Sequence, residues 1–168
     1  MARNFTLNFP STAFGPAAST AGPTFVNHGT TPYSRIGLAF DDSADEGAAT
    51  GMFAMPSEYT GTDTLKAKVY YYTAATSGTF ACNIYFEAFT DGDAVALNTA
   101  QSVDTGGNAG SATVPGTAGH LDVITITLSN KDSVAAGDLC RLLIVRDVSE
   151  DGASGDVYLA NIELYEET

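Results

Sequence analysis

The stretch of the sequence that looks most like a chemical site is an acidic segment near its C-terminal end. Residues 146–156, RDVSEDGASGD, hold four carboxylates, two serines and two glycines between two apolar runs. The last position of an EF-hand calcium loop needs a bidentate glutamate, but the chain has Tyr158 there, and both flanks look like strands instead of helices. We therefore interpret the segment as an acidic hairpin connection, with Arg146 and Asp147 as a candidate ion pair. Four other positions do match the calcium loop, namely Asp147, Ser149, Asp151 and Gly152.

The remaining metal-type residues form no recognised ligand pattern. Residues 41–46, DDSADE, could offer oxygen ligands to calcium, but a solvated loop is the better explanation in so acidic a chain. Zinc needs about four ligands, and Cys82, Cys140, His28 and His120 lack a zinc-type spacing. Both cysteines lie inside apolar strand patterns, so we expect buried free thiols. The sequence predicts no metal and no cofactor.

Catalytic motifs do not stand out either. Neither histidine has an obvious serine or cysteine partner, and no nucleophile elbow, P-loop or dinucleotide fingerprint occurs. A pair of glycosidase carboxylates needs only a suitable separation, but the chain has no tryptophan to line a sugar cleft. We expect no catalytic residue and a protein that is not an enzyme.

The net charge restricts the partners. Twenty acidic and seven basic residues give a net charge of −13 at pH 7, whereas nucleic acids and anionic membranes bind basic surfaces. We therefore expect neither as a partner. The chain does not begin with a basic segment followed by an apolar one, so we expect no secretory signal.

Alternation of apolar and polar residues predicts strands along most of the chain. In the last of them we expect Tyr158 and Ile162 to face inward. The strongest patterns cover 64–72, 79–89, 123–128, 139–146 and 157–165, and weaker ones cover 36–41, 48–54 and 94–103. The fold class we predict is all-β, a two-sheet antiparallel β-sandwich of jelly-roll type.

The N-terminal part differs in composition from the body. Residues 1–35 are predicted to form an extended arm and residues 36–168 the sandwich domain, because residues 10–35 are rich in Pro, Gly, Ser, Thr and Ala. Within the arm, residues 4–9 alternate like a short strand. This strand could pair with its own sheet or add to a neighbouring subunit.

Two groups of residues are candidates for interactions. Exposed aromatic rings on a sheet can stack on sugars or form a subunit contact. The alternation turns four tyrosines outward, and the apolar residues of the arm could bridge subunits. The candidates are Phe5, Leu7, Phe9, Tyr70, Tyr72 and Tyr85, and Tyr165 is the fourth outward tyrosine.

Two segments carry a family resemblance. Residues 55–89 contain a proline–tyrosine turn into a long strand and a TSG hairpin, and residues 136–167 contain an AGD turn and an apolar strand ending in RD. An acidic loop and a final strand ending in an aromatic residue follow. Together they resemble small β-sandwich structural proteins of tailed bacteriophages, such as head decoration, head fibre and tail accessory proteins.

The resemblance implies a non-enzymatic structural protein of a phage virion, assembled in the host cytoplasm. The function expected from it is an oligomeric capsid decoration protein, a trimer by analogy, that contacts other capsid or tail subunits. The alternative from another class is a carbohydrate-binding module or adhesin of jelly-roll type that uses the tyrosines, with or without calcium in the acidic loops.

Overall fold

The chain folds into two stacked antiparallel sheets, which confirms the predicted β-sandwich of jelly-roll type. A computed structural model describes residues 2–16, 22–29, 34–92, 97 and 106–168. The strands in these described residues are β1 Arg3–Pro10, β2 Phe14–Pro16, β3 Thr24–His28, β4 Arg35–Phe40, β5 Gly47–Thr50, β6 Phe53–Ala54, β7 Thr64–Thr73, β8 Thr79–Phe89, β9 Asn108–Thr113, β10 Leu121–Thr127, β11 Leu139–Arg146 and β12 Val157–Glu167.

The first sheet, which will carry the site, has the order β10-β7-β12-β4-β3. Strand β12 is long enough to pair with β7 along one side, and with both β4 and β1 along the other. The second sheet has the order β2-β5-β11-β8-β9, and β6 also pairs with β11. Strand β11 therefore lies at the centre of the second sheet.

The core lies between the sheets and consists of the inward residues of the long strands. In β7 every second side chain, from Leu65 to Tyr71, is buried, and β11 alternates in the same way. Both cysteines are buried free thiols at opposite ends of the β8–β11 pair: Cys82 lies opposite Arg146, and Cys140 opposite Ala88.

The N-terminal residues belong to both sheets. Strand β1 pairs with β12 of its own chain, which is one of the two alternatives left open by the sequence. Phe5 and Leu7 of β1 pack against the hydrophobic core, and Phe9 of the same strand belongs to the core. Within the Pro- and Gly-rich stretch the structure forms β2 and β3, which extend the second and the first sheet respectively.

One strand of the structure was not predicted from the sequence, and one predicted strand lies outside the described residues. Between β8 and β10, where the alternation predicts no strand at 108–113, the structure contains β9, which pairs with β8. The sequence did not predict this strand, because β9 consists mostly of small residues, glycine and alanine among them, and shows no clear alternation of apolar and polar side chains. The weak strand expected at 94–103 lies outside the described residues, apart from Leu97.

In the described part of the chain, no helix is long and apolar enough to cross a membrane.

Candidate functional site

An open groove of about 830 Å³ crosses the outer face of the first sheet. Its volume is in the range of small-molecule ligand sites, about 300–1,000 Å³. The groove runs from β10 across β7 and β12 to the pair β4–β3. Its main side chains are His28, Arg35, Tyr72, Leu121, Tyr158 and Ala160.

The register of the first sheet places three side chains of the groove next to one another. Leu121 of β10 lies opposite Tyr72 of β7, and Tyr72 lies opposite Tyr158 of β12. Side chains that pair across neighbouring strands share one face of a sheet. These three residues therefore form a continuous row on the outer face, and Leu121 leaves 61% of its surface exposed.

A β-bulge puts Tyr158 into this row. The pairing of β12 with β7 shifts between Leu159 and Asn161. An extra residue at a bulge reverses which side chains face the core. Ile162 is therefore buried as predicted, whereas the prediction that Tyr158 faces inward is wrong, because the alternation was extended backwards through the bulge.

Three aromatic rings pack together in the groove. Tyr72 and Tyr158 are stacked, with ring centroids 5.1 Å apart and planes 20° from parallel. The imidazole of His28 stands edge-on against both, with centroid distances of 5.4 Å to Tyr72 and 4.5 Å to Tyr158. Such pairs stabilise one another by about 0.5–1.5 kcal/mol beyond their buried area. The cluster is therefore held in place before any ligand arrives.

Small residues make room for the rings on the sheet. A side-chain carbon placed on Gly37 would lie 2.3 Å from the Tyr72 hydroxyl and 3.2 Å from Cβ of Tyr158. The Tyr72 ring therefore reaches across β12 and rests above the bare backbone of β4. Ala160 lines the groove on β12 beside it.

The cluster contains polar atoms without partners. Nε2 of His28 and the hydroxyl of Tyr72 are buried, and neither has a hydrogen-bond partner among the described residues. Buried polar groups are nearly always bonded in native proteins. Burial raises the pKa of Tyr72, Tyr158 raises it further, and Arg35 acts in the opposite direction. Both tyrosines remain neutral hydroxyl groups at physiological pH, because burial, followed by Asp156, also raises the pKa of Tyr158.

Two loops fix the ends of the strands that carry the cluster. The amide of Gly119 donates to the carbonyl of Thr73 at 2.8 Å, which anchors the β9–β10 loop to the end of β7. The hydroxyl of Thr73 in turn donates to the carbonyl of Asp156 at 2.9 Å, just before β12 begins.

Of the interaction candidates, the structure places only Tyr72 among the residues that line the groove. Tyr70 lies on the same face, two residues earlier in β7, and Tyr85 lies on the outer face of the second sheet. Phe5, Leu7 and Phe9 contact the core in β1. Tyr165 is only 2% exposed, because the guanidinium of Arg3 lies 4.0 Å from its ring centroid.

Sequence reasoning missed His28, Arg35 and Tyr158 as site residues. His28 and Arg35 lie in or next to the Pro- and Gly-rich stretch, where no period could be read. The bulge concealed Tyr158. A tyrosine at the start of a strand, next to a Gly-rich loop, was the only available signal for it.

The acidic segment 146–156 surrounds a buried arginine, Arg146. Arg146 is 1% exposed and donates from Nε to Asp151 at 2.8 Å, so the predicted pair with Asp147 is wrong. Its other hydrogen bonds go to the carbonyls of Phe40, Ala153 and Gly155, at 2.8–2.9 Å. The arginine thus ties the loop to β4.

Two further acids at this segment, Asp147 and Asp45, also accept hydrogen bonds from the protein itself. Asp147 accepts from Asn83 at 3.0 Å and from Ser149 at 2.7 Å, and these bonds, that from Ser149 first, hold its pKa below the ordinary value. Asp45 accepts the amide of Val148 at 3.0 Å. Among the described residues no three His, Cys, Asp or Glu side chains gather as a metal site. The arrangement is that of a braced loop.

Comparison with known proteins identifies structural but not sequence relatives. No family model and no curated protein matches the sequence. A CBM35 domain of Abf62 from Cellvibrio japonicus matches 98% of this chain and 95% of its own, with a TM-score of 0.54 and 12% identity. A carbohydrate-binding module, CBM28, specific for non-crystalline cellulose matches 92% of this chain and 88% of its own, with a TM-score of 0.54 and 13% identity.

A larger protein contains a similar domain. An isomalto-dextranase of Arthrobacter globiformis T6, solved with panose, matches 96% of this chain but only 23% of its own, with a TM-score of 0.50 and 18% identity. At such low identities these similarities establish the fold, which hosts many functions.

The predicted function as a phage capsid decoration protein is wrong on this comparison. Two solved structures that match along nearly the whole length of both chains are carbohydrate-binding modules. The turns and core residues that carried the phage resemblance determine a jelly-roll sandwich, and the fold is shared across functions. The resemblance itself, the virion location and the trimer stay predictions.

Proposed function

We propose that the protein is a carbohydrate-binding domain without catalytic activity, and that it holds a glycan in the groove on the first sheet. The observation that carries the proposal is the cluster of Tyr72, Tyr158 and His28 in an open groove. Aromatic rings offer a broad apolar surface to the C–H face of a sugar, and their hydroxyl and imidazole groups bond to its hydroxyls.

The shape of the site supports a glycan over a compact ligand. The groove crosses five neighbouring strands and is open to solvent, so an extended chain of sugar rings could lie along it. The exposed Leu121 at one end and Arg35 at the other give it an apolar and a polar end. Whole-length similarity to two carbohydrate-binding modules is consistent with the proposal.

The rigid floor of the groove favours binding. The stacked tyrosines rest on the sheet above Gly37, so little side-chain entropy remains to be lost when a ligand binds. The unpartnered atoms of His28 and Tyr72 gain hydrogen bonds if a ligand or water shifts either ring slightly.

A glycan array followed by calorimetric titration of the best ligand tests the proposal. We expect Tyr72→Ala and Tyr158→Ala each to weaken binding about 10- to 100-fold, because ring stacking and a hydrogen bond are both lost. Gly37→Ala should also weaken binding, because it displaces the Tyr72 ring without removing it.

The matched control is Tyr85→Ala, which removes a half-exposed tyrosine from the outer face of the other sheet. It should bind like the wild type. An array without a single glycan ligand, or a ligand whose affinity survives both groove substitutions, would contradict the proposal.

A further inference from the structure

Arg35 differs from the other basic residues of this protein in its surroundings. All seven lie in the described part of the chain, and five of them form ion pairs. These pairs are Arg3–Glu163, Lys66–Glu167, Lys68–Glu163, Arg141–Glu87 and Arg146–Asp151.

The sixth basic residue, Lys131, also has partners. Its ammonium group lies 5.5 Å from the ring centroid of Tyr59 and 3.4 Å from the carbonyl oxygen of Gly61. Arg35 makes neither an ion pair nor a side-chain hydrogen bond with any residue that the structure describes. In a chain with 20 acidic residues and 7 basic ones, an arginine without a carboxylate partner stands out.

The position of Arg35 connects its lack of an ion pair to the candidate site. Arg35 lies opposite His28 on the pair β3–β4 and lines the aromatic groove. Among the described residues that line the groove, none is Asp or Glu. The described part of the lining therefore carries the formal positive charge of Arg35 and no formal negative charge, although the protein as a whole is strongly acidic. Asp156, which acts on Tyr158, lies outside this lining.

We propose that the groove selects an anionic glycan, and that Arg35 binds its carboxylate or sulfate while the tyrosines hold the sugar rings. This inference rests on the proposed function. The guanidinium is planar and carries parallel N–H donors, so it matches either oxyanion with two hydrogen bonds. A neutral glycan would offer the guanidinium hydroxyl acceptors but no negative charge.

The experiment uses an array of neutral, uronate-bearing and sulfated oligosaccharides, followed by titration of the strongest ligand. Each anionic ligand is paired with its own neutral counterpart, prepared by reduction of the carboxyls or removal of the sulfates. The two anionic arms of the array distinguish carboxylate from sulfate recognition.

We expect the wild type to bind the anionic ligand roughly tenfold more tightly than the neutral counterpart, given the strength of hydrogen bonds to charged groups at a partly exposed site. Arg35→Gln should remove this preference, so that the anionic ligand binds no more tightly than its neutral counterpart. Arg35→Lys should restore only part of it, because an ammonium group lacks the planar pair of donors.

Lys131→Gln is the control, since it removes the same charge at a residue outside the groove lining and should keep the preference. Raising the salt concentration from about 0.05 M to 0.5 M should weaken anionic binding selectively.

Two results would overturn the inference. A strongest ligand that is neutral, or a preference that survives Arg35→Gln, would refute it, while loss of binding in Tyr72→Ala would still uphold the carbohydrate function. An array without any ligand would refute both.

Discussion

The braced acidic loop gives a stability prediction that can be worked from the structure. Arg146→Met removes the guanidinium and keeps much of the apolar stem. The substitution leaves the buried Asp151 without its cation and three carbonyls without a donor. Breaking a buried ion pair by removing one partner costs about 3–5 kcal/mol.

The cost is large for a domain of this size. Native proteins are stable by only about 5–15 kcal/mol. At roughly 2–4 °C per kcal/mol, the melting temperature should fall by about 6–20 °C. Asp151→Asn should cost less, about 1.5–3 kcal/mol, because the arginine retains its carbonyl acceptors.

Urea unfolding followed by circular dichroism measures both values, with calorimetry as a second readout. Lys66→Met is the control, since it breaks a more exposed pair with Glu167 and should change the unfolding free energy far less than Arg146→Met does. If Arg146→Met expresses poorly, Asp151→Asn alone provides the test.

A loss below about 1 kcal/mol for Arg146→Met would refute the view of the arginine as the brace of the loop. So would a calcium-dependent rise in the melting temperature of the wild type. The acidic oxygens would then be holding a cation in place of the hydrogen bonds seen here.

Two further predictions concern titratable groups. Burial raises the pKa of Glu166, but hydrogen bonds from Asn4, Thr60 and Gly61 outweigh it and hold the pKa below the ordinary 4.5. A depressed folded-state pKa contributes stability above pH 4.5 that is lost as the pH falls through the folded value. Glu166→Gln should therefore be less stable at neutral pH and less acid-sensitive below pH 4.5 in urea unfolding; parallel pH profiles would refute this. Burial raises the pKa of Cys82 and Cys140 to about 12, so neither should react with a thiol reagent at pH 8 until denaturant is added, and rapid native labelling would contradict their burial.

The sandwich was predictable because its long strands carry a clean period of two. In β7 the alternation correctly separated the buried Val69 and Tyr71 from the outer Tyr70 and Tyr72. Apolar residues on one face of a strand can be buried only against a second layer, so this pattern predicts two packed sheets. The second-sheet strand β8 followed the same rule.

The site was less predictable because each of its parts breaks a local rule. A bulge, which leaves no mark in the composition, turned Tyr158 outward. His28 and Arg35 come together only through the pairing of β3 with β4. The space for the Tyr72 ring depends on Gly37. In a sequence, a glycine inside a strand pattern indicates only that the strand is weaker.

The acidic loop, in contrast, looks more like a binding site in the sequence than it does in the structure. Its residues look like ligands in sequence, but the three-dimensional structure gives them donors from the protein itself. Arg146 was assigned to its chain neighbour Asp147, whereas the fold brings it to Asp151 and three carbonyls.

The most direct test of the central claim is where a glycan binds. Titrating the strongest array ligand into isotope-labelled protein and following the backbone amide signals locates the contact surface. The account predicts that the shifts cluster at His28, Arg35, Tyr72 and Tyr158, while the amides of β8 on the opposite sheet stay unchanged. Shifts centred on the second sheet or on the acidic loop, with the groove unaffected, would contradict it.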